Sequence, residues 1–105
     1  MNLSAAIRCG AKLKPQGHGS LLRDGATCAI GAALDSIGML EEALRTPEPY
    51  QIAQALWPVL NAELETFIIL KNDGDKWTRE QIADEVEIYE ALEAAATAVP
   101  ALVNA

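Results

Sequence analysis

Apolar residues recur at helical spacing along most of the chain. Leu3, Ile7 and Ala11 lie four residues apart, and Arg8 and Lys12 fall on a neighbouring strip. This pattern predicts a short amphipathic helix over about residues 3–13. Further rows with the same period predict more helices: Ile30/Leu34/Ile37, Ile52/Leu56 and Ile82/Val86/Tyr89. The sequence therefore predicts an all-α fold, a compact bundle of four to six helices in a single domain, residues 1–105.

Residues 26–37 have the character of a central helix. No charged residue occurs between Asp24 and Asp35, and the small side chains of Ala29 and Ala33 give one face almost no bulk. A helix that is apolar nearly all round is usually buried, and small residues let a neighbouring helix approach closely. Gly38 is a suitable end, because glycine adopts the left-handed cap conformation without a Cβ clash.

Several other helix boundaries are marked by proline and by capping residues. Pro58 is expected to kink or split the helix that contains it. Thr78 and Gln81 match a capping box, which predicts a final helix from there to about Ala98, ended by Pro100. Residues 67–70 alone resemble a strand, but without a pairing partner we expect helix.

The charge of the chain is unevenly distributed. Residues 1–62 carry five basic and five acidic side chains, whereas residues 63–105 carry three basic and ten acidic ones, so the net charge of −7 lies in the second part. Such a surface repels a nucleic-acid duplex and an anionic membrane. No apolar run approaches the roughly 20 residues that span a bilayer. We therefore expect neither nucleic acid nor a membrane as partner.

Two cysteines, Cys9 and Cys28, and one histidine limit the available chemistry. Nothing resembles a signal peptide, which favours a cytoplasmic protein with reduced thiols. The spacing of the cysteines and the histidine fits no metal site, and the glycines at 25 and 31 lack the Lys-Ser/Thr pair of a phosphate loop. The sequence predicts neither a metal nor a cofactor.

A series of carboxylates with helical spacing suggests a binding surface. Glu80, Asp84, Glu87 and Glu90 are three or four residues apart. They form either a solvated face that keeps the protein soluble, or a surface for a basic partner, which is another protein or a second copy of the chain. A basic side chain from the first helix, such as Arg8, could instead neutralise them within one molecule.

A second group of residues suggests nucleophilic catalysis. Cys28 near the start of the central helix would gain thiolate character from the helix dipole. His18, in a glycine-rich loop, could act as the base, and Asp73 or Asn72 could orient the imidazole. The alternative is a cysteine that packs as alanine does, beside a solvent-exposed histidine.

Two stretches resemble a known group of proteins. Residues 28–34 read Cys-Ala-Ile-Gly-Ala-Ala-Leu, and Asn72-Asp73 is followed by Trp77-Thr78, Glu80 and Ile82. Together they resemble small uncharacterised helical proteins of bacteriophages and prophages. The resemblance implies a helical domain from a mobile element and no particular activity. If the two stretches meet in space, the Asn-Asp turn can cap a helix and hold a neighbouring loop.

The sequence thus favours a non-enzymatic protein-interaction factor, such as a phage or prophage accessory protein that binds a host protein through its acidic face. The alternative is a small cysteine-dependent hydrolase that uses Cys28 and His18. A structural homo-oligomer is a third hypothesis.

Overall fold

The computed structural model describes the backbone of residues 1–103 and the side chains of residues 1–98. The described chain is mainly helical, as predicted. Its helices are α1 (Leu3–Gly10), α2 (Ala29–Ser36), α3 (Leu40–Leu44), α4 (Pro49–Leu56), α5 (Ala62–Ile69) and α6 (Arg79–Val103), with a π-helical segment at Leu70–Gly74 and strands β1 (Leu22–Arg23) and β2 (Ala26–Thr27).

The α2 helix is the centre of the bundle, which confirms the prediction from its small residues. Every residue from 29 to 34 is buried. A Cβ atom built on Gly10 of α1 would lie 1.7 Å from the backbone oxygen of Ala32. The α1 and α2 backbones are therefore in direct contact, and a side chain at this crossing would hold them apart.

The predicted central helix begins three residues too early. Residues 26 and 27 form β2, which pairs antiparallel with β1, and Cys28 is the N-cap residue of α2. The turn between the strands has positive φ angles at Asp24 (52°) and Gly25 (78°). An Asp-Gly pair is favoured in such a two-residue hairpin turn, because both positions need the left-handed conformation.

Most of the other predicted boundaries are confirmed. The α4 helix ends at Leu56, ahead of Pro58. Thr78 and Gln81 form the capping box: Thr78 N donates to Gln81 Oε1 (2.9 Å), and Gln81 N donates to Thr78 Oγ1 (3.1 Å). Residues 67–70 are helical. The prediction that Pro100 ends the last helix is wrong: α6 continues through it to Val103. The fixed φ of proline lies in the helical range, so the backbone can stay helical although one intrahelical hydrogen bond is lost.

Among the residues whose side chains are described, those of α6 that join the core lie in its first half. Ile82, Ala83 and Val86 are fully buried against the bundle, whereas residues 91–98 are all exposed. With 25 residues, α6 is about three times as long as the eight-residue helices α1 and α2. Among the described residues, no helix combines the length and apolar character needed to cross a bilayer.

Candidate functional site

The predicted acidic residues lie on α6, and Arg8 of α1 contacts three of them. Arg8 Nη2 is 2.8 Å from Asp84 Oδ1, Nη1 is 3.3 Å from Glu87 Oε1, and Nε is 3.9 Å from Glu80 Oε2. The hydrogen bond to Asp84, followed by that to Glu87, raises the pKa of Arg8. The intramolecular pairing expected as an alternative is therefore present.

One arginine does not neutralise this surface. The side chains of Glu80, Asp84 and Glu87 remain 58%, 72% and 65% exposed. Lys14, a basic residue that follows α1, is held elsewhere by Asp35, with Nζ and Oδ2 2.6 Å apart. Within the part of the chain that the structure describes, Arg8 alone forms ion pairs with α6 carboxylates. The face therefore keeps an excess of negative charge.

Glu90 differs from the other three carboxylates because Arg8 does not reach it. Its Oε2 accepts a long hydrogen bond from the backbone N–H of Ser4, at 3.5 Å. Its Oε1 is buried and has no hydrogen-bond partner among the described residues. An unpaired polar atom removed from water is costly, and the cost is greatest for a charged group.

Glu90 lines an open groove of about 630 Å³. Three separate parts of the chain meet there: the start of α1, the end of α4 with the turn that follows it, and the exposed half of α6. The lining residues are Met1, Asn2, Leu3, Leu56, Trp57, Pro58, Val59, Glu90, Glu93, Ala94 and Thr97. We call this site the N-terminal groove. Its surface is mainly apolar, with carboxylates on the α6 side.

Trp57 fixes one wall of the N-terminal groove. Its indole Nε1 donates to the backbone oxygen of Met1 at 3.1 Å, and the residue is only 6% exposed. Met1 and Leu56 are 68% and 41% exposed beside it. A polar anchor therefore holds the N-terminus against α4 while apolar side chains stay open to solvent.

The two stretches that carry the family resemblance do meet in space, at Asn72. Its Oδ1 accepts from the backbone N–H of Ala29 (3.2 Å) and from Gln16 Nε2 (2.9 Å). Its Nδ2 donates to the backbone oxygen of Gly17 (2.9 Å) and to Asp73 Oδ1 (2.8 Å). The expected cap and loop contact both exist. Every polar group of this buried amide is therefore satisfied. Its bonds join the start of α2 to the loop that contains Gln16 and Gly17, which is a structural role.

Cys28 lies beside this amide in an environment that disfavours its thiolate. The thiol is buried, and its Sγ accepts from the backbone N–H of Gly31 at 3.4 Å. Burial, to which the Asp73 carboxylate adds, raises the pKa of Cys28. Burial also raises the pKa of Tyr50 to about 12, with smaller contributions from the charges of Cys28 and Asp73. A nucleophilic cysteine requires a shift in the opposite direction.

His18 is exposed in the loop before β1. The adjacent backbone N–H of Gly19 donates to Asp73 Oδ1 at 2.9 Å, so this carboxylate holds the loop. Within the described chain, the His18 imidazole forms no hydrogen bond with Cys28 or Asp73. The structure thus places Asp73 near both the thiol and the loop, without the hydrogen-bonded relay that a catalytic triad uses.

Arg79 is a buried residue that the sequence analysis did not identify. It is 7% exposed, and its guanidinium donates to Thr27 Oγ1 (2.9 Å), Thr27 O (3.3 Å), Ala11 O (3.2 Å) and Lys14 O (2.7 Å). Burial lowers its pKa. A positive charge in the first turn of a helix is unfavourable because of the helix dipole. The position of Arg79 at the start of the last helix is therefore a sequence feature that indicates a contact elsewhere in the fold. Its bonds tie the end of α1 to β2.

The N-terminal groove also escaped prediction, since it joins residues that are distant in sequence. No three His, Cys, Asp or Glu side chains within the described ranges are close enough to hold a metal ion. The fold and the groove together define a small helical protein with an open groove beside a row of exposed carboxylates. Comparisons with protein families, curated proteins and solved structures found no match.

Proposed function

We propose that this chain is a non-enzymatic protein-interaction factor that binds a basic protein partner through the acidic face of α6. The observation that carries the proposal is the excess of carboxylates on this helix over the one arginine that contacts them. Arg8 lies between Asp84 and Glu87, and Glu90 and Glu93 form no ion pair within the described residues.

The exposure of these carboxylates suits recognition of a positively charged surface. Charged side chains at the edge of an interface steer association and select the partner, and their effect decreases with ionic strength. Arg8 holds Glu80, Asp84 and Glu87 in place at the α1–α6 contact. A partner therefore meets charges whose positions are already set, which lowers the entropic cost of binding.

The chain offers a matched pair of charge reversals to test the proposal. Glu80 and Glu87 share Arg8, and Glu41 and Glu42 on α3 share Arg45, with oxygen–nitrogen distances of 3.9 and 3.3 Å in both pairs. The double variants Glu80→Lys/Glu87→Lys and Glu41→Lys/Glu42→Lys change the net charge equally. Wild type and both double variants are used as baits in a lysate of the cells that encode the chain, after melting curves confirm that each variant is folded.

We expect wild type and the α3 variant to retain the same basic protein, and the α6 variant to lose it. Retention should also weaken as salt is added. Equal retention by all three baits, or loss with both double variants, would contradict an interaction specific to α6. The sequence resemblance supports a phage or prophage accessory factor with a host protein as partner, and the retained protein tests that part directly.

Self-association is a second candidate, favoured by an exposed apolar row on α6. Ile88 and Leu92 are 54% and 63% exposed and lie one helical turn apart. Sedimentation of wild type and of Ile88→Ser/Leu92→Ser tests it. A dimer that the double substitution dissociates supports self-association, and a wild-type monomer at high concentration excludes it.

A further inference from the structure

We propose that the N-terminal groove holds an amphipathic helix of the partner, with apolar side chains against Trp57 and a lysine or arginine paired with Glu90. This inference rests on the proposed function, because it specifies which part of a basic partner the protein recognises. It adds a contact at Glu90, about one helical turn beyond Glu87. Arg8 does not reach Glu90.

The shape of the groove favours a helix. The residues of α6 that line it are Glu90, Glu93, Ala94 and Thr97. They occupy positions i, i+3, i+4 and i+7 of the helix and therefore form one ridge. Ala94 is the smallest of them and leaves room for close approach. Helices that bind in grooves present apolar side chains at the same spacing. The ridge and the partner helix can therefore pack side by side.

The opposite wall supplies apolar contacts. Leu3 and Trp57 are buried below, and Met1 and Leu56 are exposed at the edge. Trp57 gives this wall a rigid base, and Met1 and Leu56 supply the apolar surface that a partner can cover. A leucine or phenylalanine of the partner would cover this wall and remove its exposed apolar surface from water.

The charge of the groove selects the polar residue of the partner. Glu90 has one oxygen, Oε1, that is buried without a partner among the described residues, and the other accepts only a 3.5 Å bond from Ser4. Glu93 lines the same side. A lysine or arginine that enters here meets two carboxylates, whereas an acidic residue is repelled. In the proposed complex the Glu90 side chain turns so that Oε1 faces the cation.

Selection from a peptide library tests this chemistry without knowledge of the natural partner. The displayed library fixes leucines at positions i and i+4 of a helix-forming sequence and randomises the other positions. Selection on the wild-type protein should enrich lysine or arginine at one fixed distance from the leucines. A selected peptide should bind Glu90→Gln about tenfold more weakly, as expected when one charge-assisted hydrogen bond is lost.

Two further variants complete the test. Glu41→Gln removes the same charge from α3 and should leave the affinity for the peptide unchanged. Ala94→Trp places a large side chain in the groove and should abolish binding. Because Ala94 is exposed on α6, the substitution should leave the fold intact. No enriched cation, equal affinity for wild type and Glu90→Gln, or unchanged binding to Ala94→Trp would each overturn the inference.

The groove inference can fail while the proposed function stands. If the α6 charge reversal abolishes capture of a basic protein but Ala94→Trp does not, the partner uses the acidic face and avoids the groove. In that case the proposed function stands and the groove inference fails. If neither change affects capture, both fail.

Discussion

Arg8 Nη2 lies 2.8 Å from Asp84 Oδ1 and joins the first helix of the chain to the last. These residues are 76 positions apart in sequence. The contact places the positive charge of α1 at the middle of the acidic series on α6. It therefore determines which carboxylates of α6 are paired with Arg8 and which are not.

Replacement of Arg8 by alanine should lower the melting temperature modestly. Single exposed ion pairs contribute about 0–1 kcal/mol, but here the substitution also leaves three carboxylates close together. The destabilisation should shrink at high salt, because salt screens their repulsion. Thermal melts of wild type and Arg8→Ala over a salt series measure it. A loss of stability that is independent of salt would show that packing of the arginine stem is responsible.

The direct contact between α1 and α2 predicts a large effect of one methyl group. In Gly10→Ala the new Cβ would meet Ala32 O at 1.7 Å, so the helices must separate. Overpacking of this kind costs about 1–3 kcal/mol or more. Gly74→Ala is the control, because its Cβ meets nothing within 4 Å. Denaturant unfolding compares the two, and equal stabilities would show that the helices do not cross at Gly10.

Sequence patterns predict the helices well and the interactions between distant segments poorly. The α2 helix is predictable because a continuous run of small and apolar residues indicates that it is buried. The Asp24-Gly25 hairpin was missed although its turn residues are typical, since each strand has only two residues and no alternating pattern. The groove at Glu90 and the bonds of Arg79 depend on which segments meet, and local periodicity does not encode this.

The acidic residues illustrate the same limit within one helix. Their spacing correctly predicts a shared face for Glu80, Asp84 and Glu87. It does not separate Glu90 from them, because the difference arises from the position of α1: Arg8 reaches the first three, whereas Ser4 lies beside the fourth.

The buried thiol of Cys28 should resist chemical modification. In a Cys9→Ala variant, which removes the exposed cysteine, we expect labelling by a thiol reagent at neutral pH to be slow and to accelerate on unfolding. Burial disfavours both access and the thiolate form. Wild type should show one fast thiol, that of Cys9. Fast labelling of Cys28 in the folded variant would instead favour the cysteine-dependent hydrolase.

Tyr50 should make the protein sensitive to high pH. Burial raises its pKa to about 12, above the value of about 10 for an unfolded chain. The neutral phenol therefore contributes stability that is fully present below about pH 10 and is lost as the pH rises towards 12. Tyrosinate absorbance in Tyr89→Phe isolates Tyr50, and circular dichroism at each pH confirms folding. A midpoint near 10 would show that Tyr50 is solvated.

The two tryptophans provide the most direct test of the N-terminal groove. Trp57 lines it, whereas Trp77 packs edge-on against Phe67, with ring centroids 6.1 Å apart. Their indole N–H groups give two signals in a ¹H–¹⁵N correlation spectrum. Titration with a peptide selected for leucine and lysine should shift the Trp57 signal, whose N–H is bonded to Met1 O, and leave that of Trp77 in place. Binding that leaves the Trp57 signal unchanged would contradict the groove as the site.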